Sequence, residues 1–151
     1  MNKNGEIIIV EDDQDDRDLL GIVFDDLKIP NKITFLNDGQ AAYKYFNETN
    51  KDLFLIICDI NMPIMSGIEL RDKMQQIGEL KLRAIPFLFM TTSIASHNLI
   101  NAYAHSVQGF FTKPGKYDDL KDTIYSIVDY WMRCLRRYFI SRILNCPTDR
   151  F

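Results

Sequence analysis

The chain has 151 residues, of which 46% are hydrophobic and 26% charged, and a net charge of −3. That length suits one domain with a sizeable core, and the acidic balance argues against the basic face that a nucleic-acid binder carries. The three cysteines, Cys58, Cys134 and Cys146, form no close pair, which excludes a disulfide framework or a zinc spacing.

The elements alternate along the chain. "EIIIV" (6–10) is a short β-branched run and predicts a strand buried on both faces. Residues 15–29 then place Leu19, Leu20, Val23, Phe24 and Leu27 at helical spacing. "KITFLN" (32–37) predicts a second strand, and "DGQAAYKYFNETN" (38–50) a helix with Asp38 as its N-cap. "DLFLIICD" (52–59) is a third strand, followed by a helix over 67–80. "IPFLFMTT" (85–92) is a fourth strand, and "SHNLINAYAHS" (96–106) a shorter helix. "GFFTKP" (109–114) is a fifth strand stopped by Pro114, and a long last helix runs over 117–144. Five strands alternating with five helices predict a parallel sheet covered by helices on both faces, an α/β sandwich.

In such a sheet, ligands bind outside the carboxyl ends of the strands. The groups there are Glu11, Asp12 and Asp13 after the first strand, and Asp59 after the third. Thr91, Thr92 and Ser93 end the fourth strand, and Lys113 the fifth. Clustered carboxylates repel unless a cation sits among them. A hard ion such as Mg²⁺ suits an oxygen site of this kind. An Asp carboxylate can attack phosphorus, Lys113 can pair with a phosphoryl oxygen, and Thr92 can hydrogen-bond to another. That combination predicts phosphoryl transfer by positioning and charge neutralisation. "EDD" offers two adjacent pairs, and Glu11–Asp12 is preferred over Asp12–Asp13 because "IIIV" ends directly before Glu11. "TTS" offers Thr91 or Thr92, and alternation after "FLFM" favours Thr92.

Taken in order, the acidic pair, "D-x-x-M-P-x-M-x-G" from Asp59 to Gly67, the strand-end threonine and Lys113–Pro114 resemble the receiver domain of two-component response regulators. The resemblance covers about Lys3 to Trp131. It implies a flavodoxin-like (βα)5 fold with strand order 2-1-3-4-5. By position it implies that Asp59 is the phosphoacceptor and that Glu11, Asp12, Asp59 and the backbone carbonyl of Asn61 hold Mg²⁺. Thr92 takes the place of the switch hydroxyl, Phe110 that of its aromatic partner, and Lys113 that of the phosphate-pairing lysine. The Lys113–Pro114 bond is usually cis in that family.

The implied partner is a sensor histidine kinase or a phosphotransfer protein. "VEDDQDD" resembles the single-domain receivers that begin "VEDDPDD", a subgroup that includes partners of phytochrome-type kinases. Output is expected through contact with a downstream protein or onward phosphotransfer, since residues 132–151 are too few for an output domain. Those residues read as an extension of the last helix. The apolar stripe from Ile124 through Trp131 and Leu135 to Ile143 suggests a homodimer through that helix, or through the face of the fourth helix, fifth strand and fifth helix. No signal peptide or membrane-spanning run is present, so the expected location is the cytoplasm, with no membrane partner. A competing class, a phosphohydrolase with Asp59 as nucleophile, needs a general acid two residues on, where this chain has Asn61. The expectation is therefore a signalling phosphoacceptor without enzymatic turnover on other substrates.

Overall fold

The computed structural model describes residues 2–77, 85–92 and 107–134. The β-branched run of β1 (Glu6–Val10) is buried at every position and forms the middle of the sheet. It pairs in parallel with β2 (Ile33–Leu36) on one side and β3 (Leu53–Cys58) on the other. β4 (Phe87–Thr91) and β5 (Gly109–Thr112) extend the same parallel sheet, giving the order β2-β1-β3-β4-β5. The two outer strands, β2 and β5, are only partly buried. Four described helices cover the faces: α1 (Gln14–Asp26), α2 (Gly39–Glu48), α3 (Gly67–Gln76) and α4 (Tyr117–Arg133).

Strand alternation sorts the core into two layers. Ile8, Val10, Ile56, Cys58, Phe87 and Phe89 face α2 and α3, where Phe46, Leu70 and Met74 meet them. Ile7, Ile9, Ile57, Leu88 and Met90 face the other way and pack on Leu20, Phe24, Ile124 and Ile127 of α1 and α4.

The helix starts follow local capping chemistry. Asp13 caps α1 by accepting from Asp16 N at 3.0 Å, and Asp38 caps α2 by accepting from Ala41 N at 2.6 Å. Ser66 and Glu69 form a capping box at α3. The last helix differs from the sequence expectation. Its apolar stripe continues past residue 134, but Cys134 adopts φ −57° and ψ 139° and closes the helix at Arg133. Periodicity reports which face is apolar, not where the backbone turns. The predicted helix over 96–106 and the chain after Cys134 lie outside the described residues. No helix among the described residues is long and apolar enough to cross a membrane.

At the opposite pole from the strand ends, β1 opens with a buried carboxylate. Glu6 accepts from Tyr45 Oη at 2.5 Å, Lys32 Nζ at 2.9 Å and Thr34 Oγ1 at 3.1 Å, and pairs with Lys51 Nζ at 3.2 Å. Burial pushes its pKa up, but these four partners outweigh it and hold it at about 2, below the ordinary 4.5. A carboxylate with a lowered folded-state pKa adds stability above its unfolded value, and loses it as pH falls through its folded value. Lys32 and Lys51 are half-exposed or more, so screening reduces the contribution to about 1–2 kcal/mol. Glu6→Gln should therefore lower unfolding free energy by about that amount at pH 7. In urea titrations the gap between wild type and variant should close as pH falls from 4.5 towards 2.

Candidate functional site

The carboxyl ends of β1, β3, β4 and β5 lie side by side, and their next residues converge. Asp59 N donates to Val10 O at 2.9 Å, so the residue after β3 is held beside the end of β1. Lys113 N donates to Thr91 O at 2.9 Å, which fixes the residue after β5 beside the end of β4. Glu11, Asp12 and Asp59 each bring a carboxylate oxygen within 4.8 Å of the others. Glu11 and Asp59 are buried and Asp12 is partly exposed. Asp13 is outside this group because its carboxylate serves as the cap of α1. The pair that lies beside Asp59 is Glu11 and Asp12.

Lys113 reaches into the cluster. Its Nζ donates to Glu11, to Asp16 Oδ2 at 2.7 Å and to Asp59 Oδ2 at 3.4 Å. Burial works against its charge, but hydrogen bonds to Asp16 and Glu11, with the charges of Glu11 and Asp59, outweigh burial and raise its pKa above the ordinary lysine value. Lys113 is thus a fixed cation. Glu11 shows the opposite balance. Burial raises its pKa, and Lys113 only partly restores the charged form. Asp16, which the sequence motifs do not single out, sits in the first turn of α1, and its carboxylate also anchors Lys113. Its place in the first turn of α1, one turn past Glu11, was the available signal.

The two oxygens of Asp59 differ. Oδ1 accepts from Ile60 N at 2.6 Å and Asn61 N at 3.3 Å, while Oδ2 faces Lys113. Cys58, next in the chain, is fully buried, and burial pushes its thiol pKa well up, so it takes no part as a thiolate.

The threonines require a correction. The sequence favours Thr92 as the hydroxyl beside Asp59. In the structure Thr91 is 1% exposed, and its Oγ1 accepts from Asn61 Nδ2 at 3.1 Å. Thr92 is exposed and lines a cavity of about 230 Å³ on the α1 and α4 side, with Leu19, Leu20, Met90 and Leu120. The reason is the two-residue period of β4. Phe87 and Phe89 face α3, so Thr91 does too, and Thr92 points the other way with Leu88 and Met90. Phe110 of β5 lies on the α3 side as well, partly buried and edge-on to Phe89 at 6.1 Å between ring centres. No cis peptide bond is present among the described residues, so Lys113–Pro114 is trans, the intrinsically favoured form.

The floor of the site depends on one glycine. Gly67 N donates to Ile60 O at 3.0 Å, and Gly67 lies against the Asp59 carbonyl. A Cβ there would penetrate that backbone carbonyl and reach Phe89 Cε1 at 3.0 Å. Backbone cannot yield as a flexible side chain does. Gly67→Ala should cost about 2–3 kcal/mol in chemical denaturation, by forcing α3 away from the β3 end.

Carboxylates at this spacing, with one partly open to solvent, match the donor set of a hard divalent cation. The whole arrangement is a buried carboxylate facing an ammonium, a hydroxyl and an acidic pair on four adjacent strand ends. Residues 7–125 match the family model of the response regulator receiver domain. The chain belongs to that family. This receiver is 31% identical over 130 residues to the probable methanogenesis regulatory protein FilR2 of Methanothrix harundinacea, covering 83% of each chain. It is 29% identical over 131 residues to the response regulator Rcp1 of Synechocystis, covering 83% of this chain and 88% of that one. The crystal structure of Mn²⁺-bound Rcp1 superposes with a TM-score of 0.72 at 27% identity, over 87% of this chain and 97% of the other. The receiver's strand order agrees with the flavodoxin-like arrangement that the sequence motifs imply.

Proposed function

We propose that Asp59 accepts a phosphoryl group from a phosphohistidine donor, a sensor histidine kinase or a phosphotransfer protein. The observation that carries this reading is the Asp59 carboxylate, held by two backbone N–H groups on Oδ1 and facing the Lys113 ammonium with Oδ2. Oδ2 attacks phosphorus, the new O–P bond forms, and the donor's N–P bond breaks with its electron pair left on the imidazole nitrogen. Glu11, Asp12, Asp59 and the Asn61 carbonyl would hold Mg²⁺, which neutralises phosphoryl charge when bound. Lys113 pairs with one phosphoryl oxygen, and Thr91, in place of Thr92, donates to another. Phe110, packed on Phe89 behind the same strand ends, follows the movement of Thr91. Asn61 offers no general acid, in keeping with a signalling acceptor and against a turnover phosphohydrolase.

The resemblance of "VEDDQDD" to the "VEDDPDD" subgroup of single-domain receivers supports a phytochrome-type kinase as donor, and a cytoplasmic location and output by protein contact are part of the same proposal. The test is intact mass after incubation with acetyl phosphate and Mg²⁺. One hydroxylamine-labile phosphoryl adduct supports the reading, and no adduct together with no Mg²⁺ binding overturns it.

Residues 132–151 are assigned here to contact with a second copy. α4 ends in exposed aromatic surface, with Tyr125 at 56% and Tyr130 at 61% exposure beside Cys134. Truncation after Trp131 should shift the protein from dimer to monomer in analytical ultracentrifugation. An unchanged sedimentation coefficient per protomer would remove the assignment.

A further inference from the structure

We infer that Asp16 is the anchor that lets Lys113 and a divalent cation occupy the site together. This rests on the reading of Asp59 as phosphoacceptor and adds a positioning residue that the reading does not use. A lysine ammonium has three N–H donors and no acceptor. Among the described residues, those of Lys113 meet Glu11, Asp16 Oδ2 at 2.7 Å and Asp59 Oδ2 at 3.4 Å.

Two of these three acceptors have other work during phosphoryl transfer. Glu11 and Asp59 belong to the carboxylate group spaced for a divalent cation, and Asp16 does not. Asp59 Oδ2 is also the oxygen that bonds to phosphorus, since Oδ1 is held by Ile60 N and Asn61 N. Both oxygens of Glu11 are engaged as well, Oε1 accepting from Asp13 N at 3.3 Å and Oε2 from Lys113. Oxygens given to a cation there are the same ones that compensate Lys113. The Lys113 side chain is only 10% exposed, so water replaces those partners poorly, and a buried charge left unpaired is costly. Asp16 keeps one anionic partner on the ammonium throughout.

The anchor is built into the start of α1. Asp16 N donates to Asp13 Oδ1 at 3.0 Å, which fixes the turn that carries the carboxylate. Arg17 Nη1 donates to the carbonyls of Glu11 and Asp12, each at 2.7 Å, and ties the same turn to the end of β1. Asp16 is thereby held close to the acidic pair without belonging to it.

The test measures Mg²⁺ binding by titration calorimetry, then beryllofluoride binding in saturating Mg²⁺, for wild type, Asp16→Asn and Asp15→Asn. Asp15 is exposed in the same turn and is not among the acceptors of Lys113, so its variant removes the same charge and leaves the anchor in place. Asp16→Asn should weaken Mg²⁺ affinity about 3- to 10-fold, the effect of one charge-assisted hydrogen bond discounted for partial exposure. Asp15→Asn should weaken it less than about 2-fold. A second readout follows the Lys113 ammonium itself. In wild type its proton–nitrogen correlation should persist when Mg²⁺ and beryllofluoride are added, and in Asp16→Asn it should be lost to exchange with water. Asp16→Ser serves as a second variant where Asp16→Asn lowers folding yield. Equal losses in the two charge variants, or a Lys113 correlation that persists in Asp16→Asn, would overturn the anchor. Wild type that shows the expected Mg²⁺ pattern but takes up no beryllofluoride would instead overturn the phosphoacceptor reading, and wild type with no Mg²⁺ binding would overturn both.

Discussion

Asp59→Asn should take up no phosphoryl group from acetyl phosphate under conditions in which wild type is expected to gain one hydroxylamine-labile adduct by intact mass. The expected loss exceeds about 100-fold, or ~2.7 kcal/mol of barrier. The amide has nearly the shape of the carboxylate, and its oxygen can keep the bonds from Ile60 N and Asn61 N. What disappears is the nucleophilic oxygen facing Lys113, because the amide nitrogen's electron pair is delocalised into its carbonyl. Folding should survive. Asp59 is one of three crowded carboxylates, so its neutralisation removes repulsion as well as one of the contacts to Lys113. Mg²⁺ affinity should fall, as one of three anionic donors is lost. An adduct of equal yield on the variant would place the phosphoryl group elsewhere and end the assignment.

Lys113→Met should be the most costly change at the site for stability in metal-free buffer. Lys113 is 10% exposed at its side chain, and Glu11 and Asp59 are 3% and 9% exposed. Removing the cation leaves buried carboxylates uncompensated, a change worth about 3 kcal/mol. Urea denaturation in chelator should show this loss, and saturating Mg²⁺ should return part of it by supplying the missing positive charge. Phosphoryl uptake should nevertheless stay low, since the ammonium that pairs with the phosphoryl oxygen is gone. Full recovery of uptake in Mg²⁺ would make Lys113 a folding residue only.

The chemistry of this protein is legible in its sequence because it sits where strands stop. "IIIV" and "LFLIIC" end abruptly in acids, and "GFFT" in a lysine, so Glu11, Asp59 and Lys113 can be placed from periodicity alone. Glu11–Asp12 over Asp12–Asp13 is favoured by where "IIIV" stops, and in the structure Asp13 is engaged as the cap of α1. Thr91 against Thr92 is not readable. A two-residue period identifies two alternating sets, and only the packing of Phe87 and Phe89 on α3 says which set faces the site. The helix end at Cys134 is hidden because apolar residues continue beyond it. Glu6 gives no warning either. Its partners Lys32, Thr34, Tyr45 and Lys51 come from β2, the residues flanking it, α2 and the approach to β3, and nothing local marks them as neighbours. The Asn61–Thr91 contact escapes for the same reason.

β1 carries one buried carboxylate at each end, Glu6 where it begins and Glu11 just past where it stops. Five residue steps separate them by about 17 Å, and each has its own compensating cations, Lys32 and Lys51 at Glu6 and Lys113 at Glu11. Charge changes at one end are therefore nearly silent at the other. Selection can retune acid tolerance at the Glu6 pole without disturbing the signalling chemistry at the Glu11 pole, and lineages living at different pH should vary the first freely while the second stays constant.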